Sequence, residues 1–443
     1  MGSDDRTAGS EAPAARRPEG GEALPRRALL GLELVTRADG APGLEVRRVL
    51  PASTADALGV RPGDRVLAIC GQPLTGRDAL LRAVHGLRAG ARVSLSLRRA
   101  GAGEETVEGP ARPLPRERVP GSDVLLAHVH ARGDRQRLIY TRPRLELPGH
   151  GSRFPAILFL QGLASASCEA PLGGGGPLAR LIAGWAAAGF VTLRVEKPGL
   201  GDSEGPEPSR VDFARELAGF RAGLEHLRAR DFVDPARVLL FGHSLGGMVA
   251  PLLAREHPVR GVAVYGASAR PWLECELASY RRQRGDAGAS ASELARRMPE
   301  VESLLRAVYR EGRTPAQLYR ERPALRVIGG ASFTSDRAHG RPLEFFRQLD
   351  RAELAAAWSE LDARVVAYHG ARDRVCGADE AAEIVAIVNR AKPGRARYVE
   401  LPGIDHVGAL TPATGDAPAR AQGDDPLLLA SRAWFSRVCE AWD

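Results

Sequence analysis

The sequence has almost no lysine: all but two of its 62 basic residues are arginine, the exceptions being Lys197 and Lys392. The formal net charge is +8. Its arginines are scattered and interleaved with Asp and Glu, without the clustered basic patch that nucleic-acid binding needs. Ala, Gly and Pro abound, so the arginine excess reads as GC-rich coding bias, and nucleic acid is not an expected partner. Cysteine is scarce too. Cys70, Cys168, Cys275, Cys376 and Cys439 are odd in number and far apart, with no CxxC or Cys/His cluster. That argues against a disulfide framework and against a zinc site, and for a reducing compartment. The opening residues lack the apolar run of a signal peptide. The apolar stretch Leu181 to Leu193, broken by Gly184 and Gly189, is too short to span a bilayer. A soluble, cytoplasmic bacterial protein is expected, with no membrane span.

What is present suits two domains. Residues 1–27 are rich in Gly, Pro, Ala and charge, with few large apolar residues, and read as a disordered tail. Residues 28–112 change to short alternating runs such as "RVSLSLRR", with one stretch of helical spacing, "GRDALLRAVHGL". Residues 113–122 read as a stiff linker. From 123 to 443 strands alternate with helices. "PAILFLQG", "RVLLFGHS", "GVAVYGA" and "RVVAYHG" are continuous apolar runs, as parallel strands buried on both faces require. The fold class expected is therefore α/β, a doubly wound and mostly parallel sheet. Residues 268 to 360 carry helical signals but no strand signal. That is too long for an ordinary connection, so an inserted helical lid is expected.

The chemistry concentrates in "RVLLFGHSLGGMVAPLLA". A buried strand runs into Gly242-His243-Ser244-Leu245-Gly246 and then into an apolar helix. Such a turn forces a serine into a strained backbone conformation, and glycines two residues either side avoid clashes. A serine needs a base, and the base an orienting acid. Downstream, Asp373 follows the strand "RVVAYHG" and His406 follows "ARYVELPG"; both lie at the sheet edge where Ser244 should emerge. His369 and His243 are rival bases, although His243 should point away from the nucleophile. Asp405 is a rival acid. The N–H of Leu245 and that of Leu163, in the loop "LFLQGLASASCE", are the candidate oxyanion donors. Gln161 is expected to brace that loop, and Cys168 and Glu169 to lie near the pocket. No cofactor or metal is called for.

These motifs, in this order, resemble the α/β-hydrolase superfamily over residues 121–443. "GLGDSEG" is similar to the loop of its serine-aminopeptidase-like and acylaminoacyl-peptidase-like members. The resemblance implies cleavage of carboxylic esters, thioesters or short peptides without a cofactor. It also implies a helical lid between the sixth and seventh strands, and that Asp202 and Ser203 fix backbone. Gln161 departs from the histidine many relatives carry. Separately, "ASTADALGVRPGDRVLAICGQPL" resembles the core of bacterial PDZ domains, a small β/α fold. That implies a carboxylate-binding loop at Leu30, Gly31 and Leu32 and uptake of a peptide C-terminus by β-augmentation. A module that merely packs against the hydrolase is the other reading. The Gly/Pro/Glu-rich connection favours an independent accessory. An acyltransferase using the same acyl-enzyme, or a non-catalytic scaffold, are the alternatives to a hydrolase.

Overall fold

A computed structural model describes residues 23–36, 41–99, 103–144, 153–171, 176–330, 332–410 and 425–440. Most of the expected tail, residues 1–22, lies outside the described residues.

The N-terminal unit is an antiparallel sheet with two short helices. In chain order it contains β1 (Leu32–Val35), β2 (Leu44–Val49), α1 (Thr54–Ala57), β3 (Arg65–Ile69) and β4 (Gln72–Pro73). After these come α2 (Arg77–His85), β5 (Arg92–Arg98) and β6 (Glu104–Pro110). Strict alternation in β5 buries Val93, Leu95 and Leu97 on one face, against Val46, Ala55, Val66 and Ile69. Ser53 caps α1 by accepting from the Asp56 N–H at 3.2 Å. The strand order β1-β2-β3-β5-β6 leaves β1 at an edge of the sheet.

The larger unit begins with β7 (Ser122–Ala131), β8 (Asp134–Pro143), β9 (Phe154–Leu160), α3 (Pro177–Ala187), β10 (Val191–Val195) and α4 (Phe213–Arg228). It continues through β11 (Val233–His243), α5 (Leu245–Glu256) and β12 (Gly261–Tyr265). The insertion follows: α6 (Trp272–Asp286), α7 (Ala291–Tyr309), α8 (Pro315–Glu321), α9 (Leu325–Gly329), the pair β13 (Arg337–Ala338) and β14 (Arg341–Pro342), α10 (Leu343–Asp350) and α11 (Leu354–Glu360). The chain then closes with β15 (Arg364–Gly370), α12 (Ala378–Ala391), β16 (Ala396–Leu401) and α13 (Pro426–Glu440).

These strands form one eight-stranded sheet in the order β16-β15-β12-β11-β9-β10-β8-β7. Only the β7–β8 and β8–β10 pairs are antiparallel; every other ladder is parallel. Helices cover both faces, so the central parallel strands are buried: β12 is buried at all five positions. Trp185, Phe241 and Phe435 pack together beneath one face. On the other face Leu304, Val308, Phe345, Phe346 and Trp358 of the insertion join the core cluster that holds Leu240 and Val264. The insertion between β12 and β15 is thus anchored by its own apolar face. Its arginine-rich stretches face outward: Arg281, Arg284, Arg296, Arg297, Arg320 and Arg322 are exposed.

The junction between the two units differs from the sequence reading. Arg26 and Arg27, which composition places in the tail, are tied into the larger unit. The Arg26 guanidinium lies 2.7 Å from Glu169 and 2.8 Å from Asp202, and the Arg27 N–H donates to Asp202 at 2.8 Å. Glu117, within the expected linker, is buried and pairs with Arg194 at 2.7 Å. Arg137 completes the cluster, 2.8 Å from Glu169 and 2.7 Å from Glu196. The physical reason is charge balance: the carboxylates of Glu169, Glu196 and Asp202 are all nearly inaccessible, and buried charge persists only when paired. Composition alone cannot reveal that two arginines of a polar segment have buried partners some 140 and more residues away.

Candidate active site

Ser244 sits between β11 and α5 with φ 55° and ψ −122°, a left-handed region that costs a non-glycine residue of order 1–3 kcal/mol. The neighbouring glycines make this turn possible. A Cβ at Gly242 would stand 2.5 Å from the Gly246 carbonyl oxygen, and one at Gly246 would stand 2.0 Å from that of Leu160. The turn is held by the Ser244 N–H donating to Tyr265 O at 2.9 Å. Ser244 Oγ therefore stands at the C-terminal edge of the sheet, beside the first N–H groups of α5, which have no intrahelical acceptor.

Two loops at the same edge bring in the partners. His406 lies in the turn after β16, closed by the Asp405 N–H donating to Ala409 O at 3.0 Å. Its Nε2 is 3.0 Å from Ser244 Oγ, and its Nδ1 is 2.8 Å from Asp373 Oδ2. Asp373 follows β15 and is buried. Its other oxygen, Oδ1, accepts from the Val375 and Cys376 N–H groups at 2.8 and 2.9 Å. Burial works against its charge, but the His406 hydrogen bond and charge and these two N–H groups prevail. Its carboxyl is held below the ordinary range. Asp405 is occupied elsewhere, accepting from the Val407 and Ala409 N–H groups at 3.1 and 2.9 Å. His369 lies 3.6 Å from Glu400. The geometry thus joins Ser244, His406 and Asp373 and leaves the rival groups aside.

The comparisons with known proteins bear on the same region. A model described as serine aminopeptidase, S33, matches residues 175–407. The chain belongs to that family. A second model, described as PDZ domain, matches residues 23–98. No curated protein compared with the chain matches it. Similar solved structures include a hypothetical protein from Pseudomonas aeruginosa, with a TM-score of 0.47 and 14% identity over 73% of this chain and 95% of that one. Another is Est1E from Butyrivibrio proteoclasticus with ferulic acid bound, at a TM-score of 0.45 and 12% identity over 71% and 97%. A third is an esterase from Rhizomucor miehei, at 0.46 and 14% over 74% and 87%. This S33-family chain is an α/β-hydrolase with an N-terminal PDZ domain.

In this member of the S33 family, the loop expected to supply the second oxyanion donor passes against the serine. A Cβ on Gly162 would lie 3.2 Å from Ser244 Cβ, so the peptide leading to Leu163 borders that serine. The Gln161 amide donates to Ala166 O at 3.0 Å and spans the loop as a brace. Cys168 and Glu169 lie on the far side, within the junction cluster: the Cys168 N–H and the Ser167 hydroxyl both donate to Glu196. Burial pushes the Cys168 thiol up, opposite to what a nucleophilic thiolate needs. Asp202 pairs with Arg137, and Ser203 donates to Glu196 O at 3.0 Å while accepting the Arg137 N–H. Both hold backbone.

Two residues escaped the sequence reading. Lys197 is buried two residues beyond β10 and donates to Gly162 O. His243, expected to point away from Ser244, holds the backbone of His406. Its Nε2 lies 2.7 Å from the His406 carbonyl oxygen, and the two rings stack obliquely at 5.3 Å. A lysine in a chain so poor in lysine was the one signal available. Burial, followed by the neighbouring His406 charge, lowers His243 from 6.5 to about 4. Since folding depresses this pKa, the stability His243 contributes is complete above about 6.5 and is lost as pH falls toward 4. The thermal midpoint should therefore drop steeply between pH 6.5 and 4, and His243→Asn should flatten that slope. An unchanged midpoint across the range would refute the buried neutral form.

On the PDZ unit, Gly31 has φ +77°, and a Cβ there would collide with Ser53 Cβ at 2.1 Å. Leu30 O and Gly31 O accept from the Ala55 and Leu50 N–H groups at 3.0 and 2.8 Å, which pins this loop at the head of the edge strand that starts at Leu32.

Proposed function

We propose that the protein is a cofactor-independent serine hydrolase that cleaves a carboxylic ester, thioester or acyl-peptide bond through an acyl-enzyme. Ser244 Oγ attacks the carbonyl carbon as His406 Nε2 takes its proton. Asp373 holds Nδ1–H and stabilises the imidazolium. The Leu245 and Leu163 N–H groups receive the charge that develops on the carbonyl oxygen. Collapse expels the leaving group, which takes the proton from His406; water, activated by the same ring, then releases the acid. The carrying observation is the chain of hydrogen bonds Ser244–His406–Asp373 at 3.0 and 2.8 Å. Ser244→Ala should abolish both turnover of a p-nitrophenyl ester and labelling by a fluorophosphonate in a folded protein. Full labelling of that variant would overturn the assignment.

The insertion of residues 268–360 acts as the lid that selects the acyl group. Replacing it by a short loop should cost activity on large acyl chains before small ones, measured as kcat/KM across a chain-length series. The loop at Leu30, Gly31 and Leu32 takes a peptide's C-terminal carboxylate, with the peptide laid along the free edge of β1 opposite α2. Amidated peptides should bind more weakly than free ones in fluorescence anisotropy. All five cysteines are free thiols, which suits a reducing, cytoplasmic compartment.

A further inference from the structure

We propose that Lys197 is a positioning residue for the oxyanion donor, fixing the peptide between Gly162 and Leu163. This rests on Ser244 being the nucleophile. The Lys197 ammonium donates to the Gly162 carbonyl oxygen. That carbonyl and the Leu163 N–H are opposite ends of one planar amide, so whatever holds the oxygen sets the direction of the hydrogen. A cation on the oxygen also polarises the amide and strengthens its N–H as a donor. The amide borders the nucleophile through Gly162, whose Cβ position lies 3.2 Å from Ser244 Cβ.

The lysine is itself held by a carboxylate that an arginine grips from the other side. Its Nζ lies 2.7 Å from Glu216 on α4. Arg341 in β14 of the insertion reaches the other Glu216 oxygen at 3.1 Å. Side chains of all three are 1% exposed. Arg341 also lies over the Phe345 ring at 5.3 Å and approaches Leu163 O at 3.5 Å. The cluster is one anion between two cations, an arrangement that a carboxylate and a single arginine would balance by themselves. The ammonium is thus surplus to charge pairing, and the group it serves is the Gly162 carbonyl. A compact ammonium suits one carbonyl oxygen, whereas a guanidinium presents a planar fork.

Lys197→Met removes the donor and leaves the Glu216–Arg341 pair balanced. Its kcat on a p-nitrophenyl ester, counted per serine labelled by fluorophosphonate, should fall roughly 10- to 100-fold. That is less than the roughly 10²–10³ that loss of an oxyanion donor costs. KM should stay within about twofold, because the interaction strengthens only when charge develops. Affinity for a trifluoromethyl ketone, whose adduct carries that charge, should fall by the same factor as kcat. Lys197→Gln, a milder change, should do the same to a lesser extent. Parental kcat per labelled serine, or a loss confined to KM, would overturn the proposal. Insolubility of both variants would count against it too, by assigning Lys197 to the fold. Failure of the underlying reading looks different: the parent protein would then not label at Ser244.

Discussion

Asp373→Asn is expected to lower kcat by roughly 10⁴-fold while leaving the fold intact, the scale of losing tautomer control in a triad. The sign follows from the hydrogen bonds. Oδ1 of Asp373 accepts the Val375 and Cys376 N–H groups, so an asparagine must keep its carbonyl there. Its NH₂ then faces His406 Nδ1, which becomes an acceptor. The ring proton moves to Nε2 and points at Ser244 Oγ, where a base is required. Asp405→Asn, by contrast, retains the carbonyl that accepts from Val407 and Ala409 and should change kcat only severalfold. Steady-state turnover per labelled serine decides between them. A crippled Asp405→Asn beside an active Asp373→Asn would mean that Asp405 is the orienting acid.

A chain beginning at Arg118 should be largely insoluble, or should lose most of its activity even on a small ester. It lacks Arg26, so among the described residues Glu169 and Asp202 keep only Arg137 as a cationic partner; it lacks Glu117, so Arg194 is left without its carboxylate. Removing one partner from a buried pair costs about 3–5 kcal/mol, a large part of a domain's total stability. Glu169 also belongs to the loop that begins at Gln161, so its release loosens the segment beside Ser244. Arg26→Ala in the full chain isolates the effect. Its thermal midpoint should fall and its kcat should drop with it, while peptide binding at the PDZ unit stays as in the parent. A monodisperse truncated chain with parental kcat would show that the junction is dispensable. The expectation of an independent accessory would then stand. The isolated PDZ unit is a different matter. Its own core of Val46, Val66, Val93 and Leu95 is complete, so residues 23–112 should fold alone.

Much of the architecture was legible because strand burial and period speak directly. The apolar runs of β9, β11, β12 and β15 announced parallel strands, and the long gap after β12 announced the insertion. GHSLG was readable because a strand-to-helix turn with tight glycines has few alternatives. Asp373 and His406 could be nominated because side chains at the ends of parallel strands share one edge of the sheet.

By itself, then, the sequence determined the order and type of the elements, the elbow serine and the short roster of groups able to meet it. Those follow from local sterics and from periodicity, which act within a turn or a strand. Only the tertiary structure decided which histidine and which acid meet Ser244, that Arg26 and Glu117 are parts of a buried cluster, and that Lys197 holds the Gly162 carbonyl. Each of these depends on charges and carbonyls that are far apart along the chain and are forced to pair once water is excluded. No local pattern encodes that pairing.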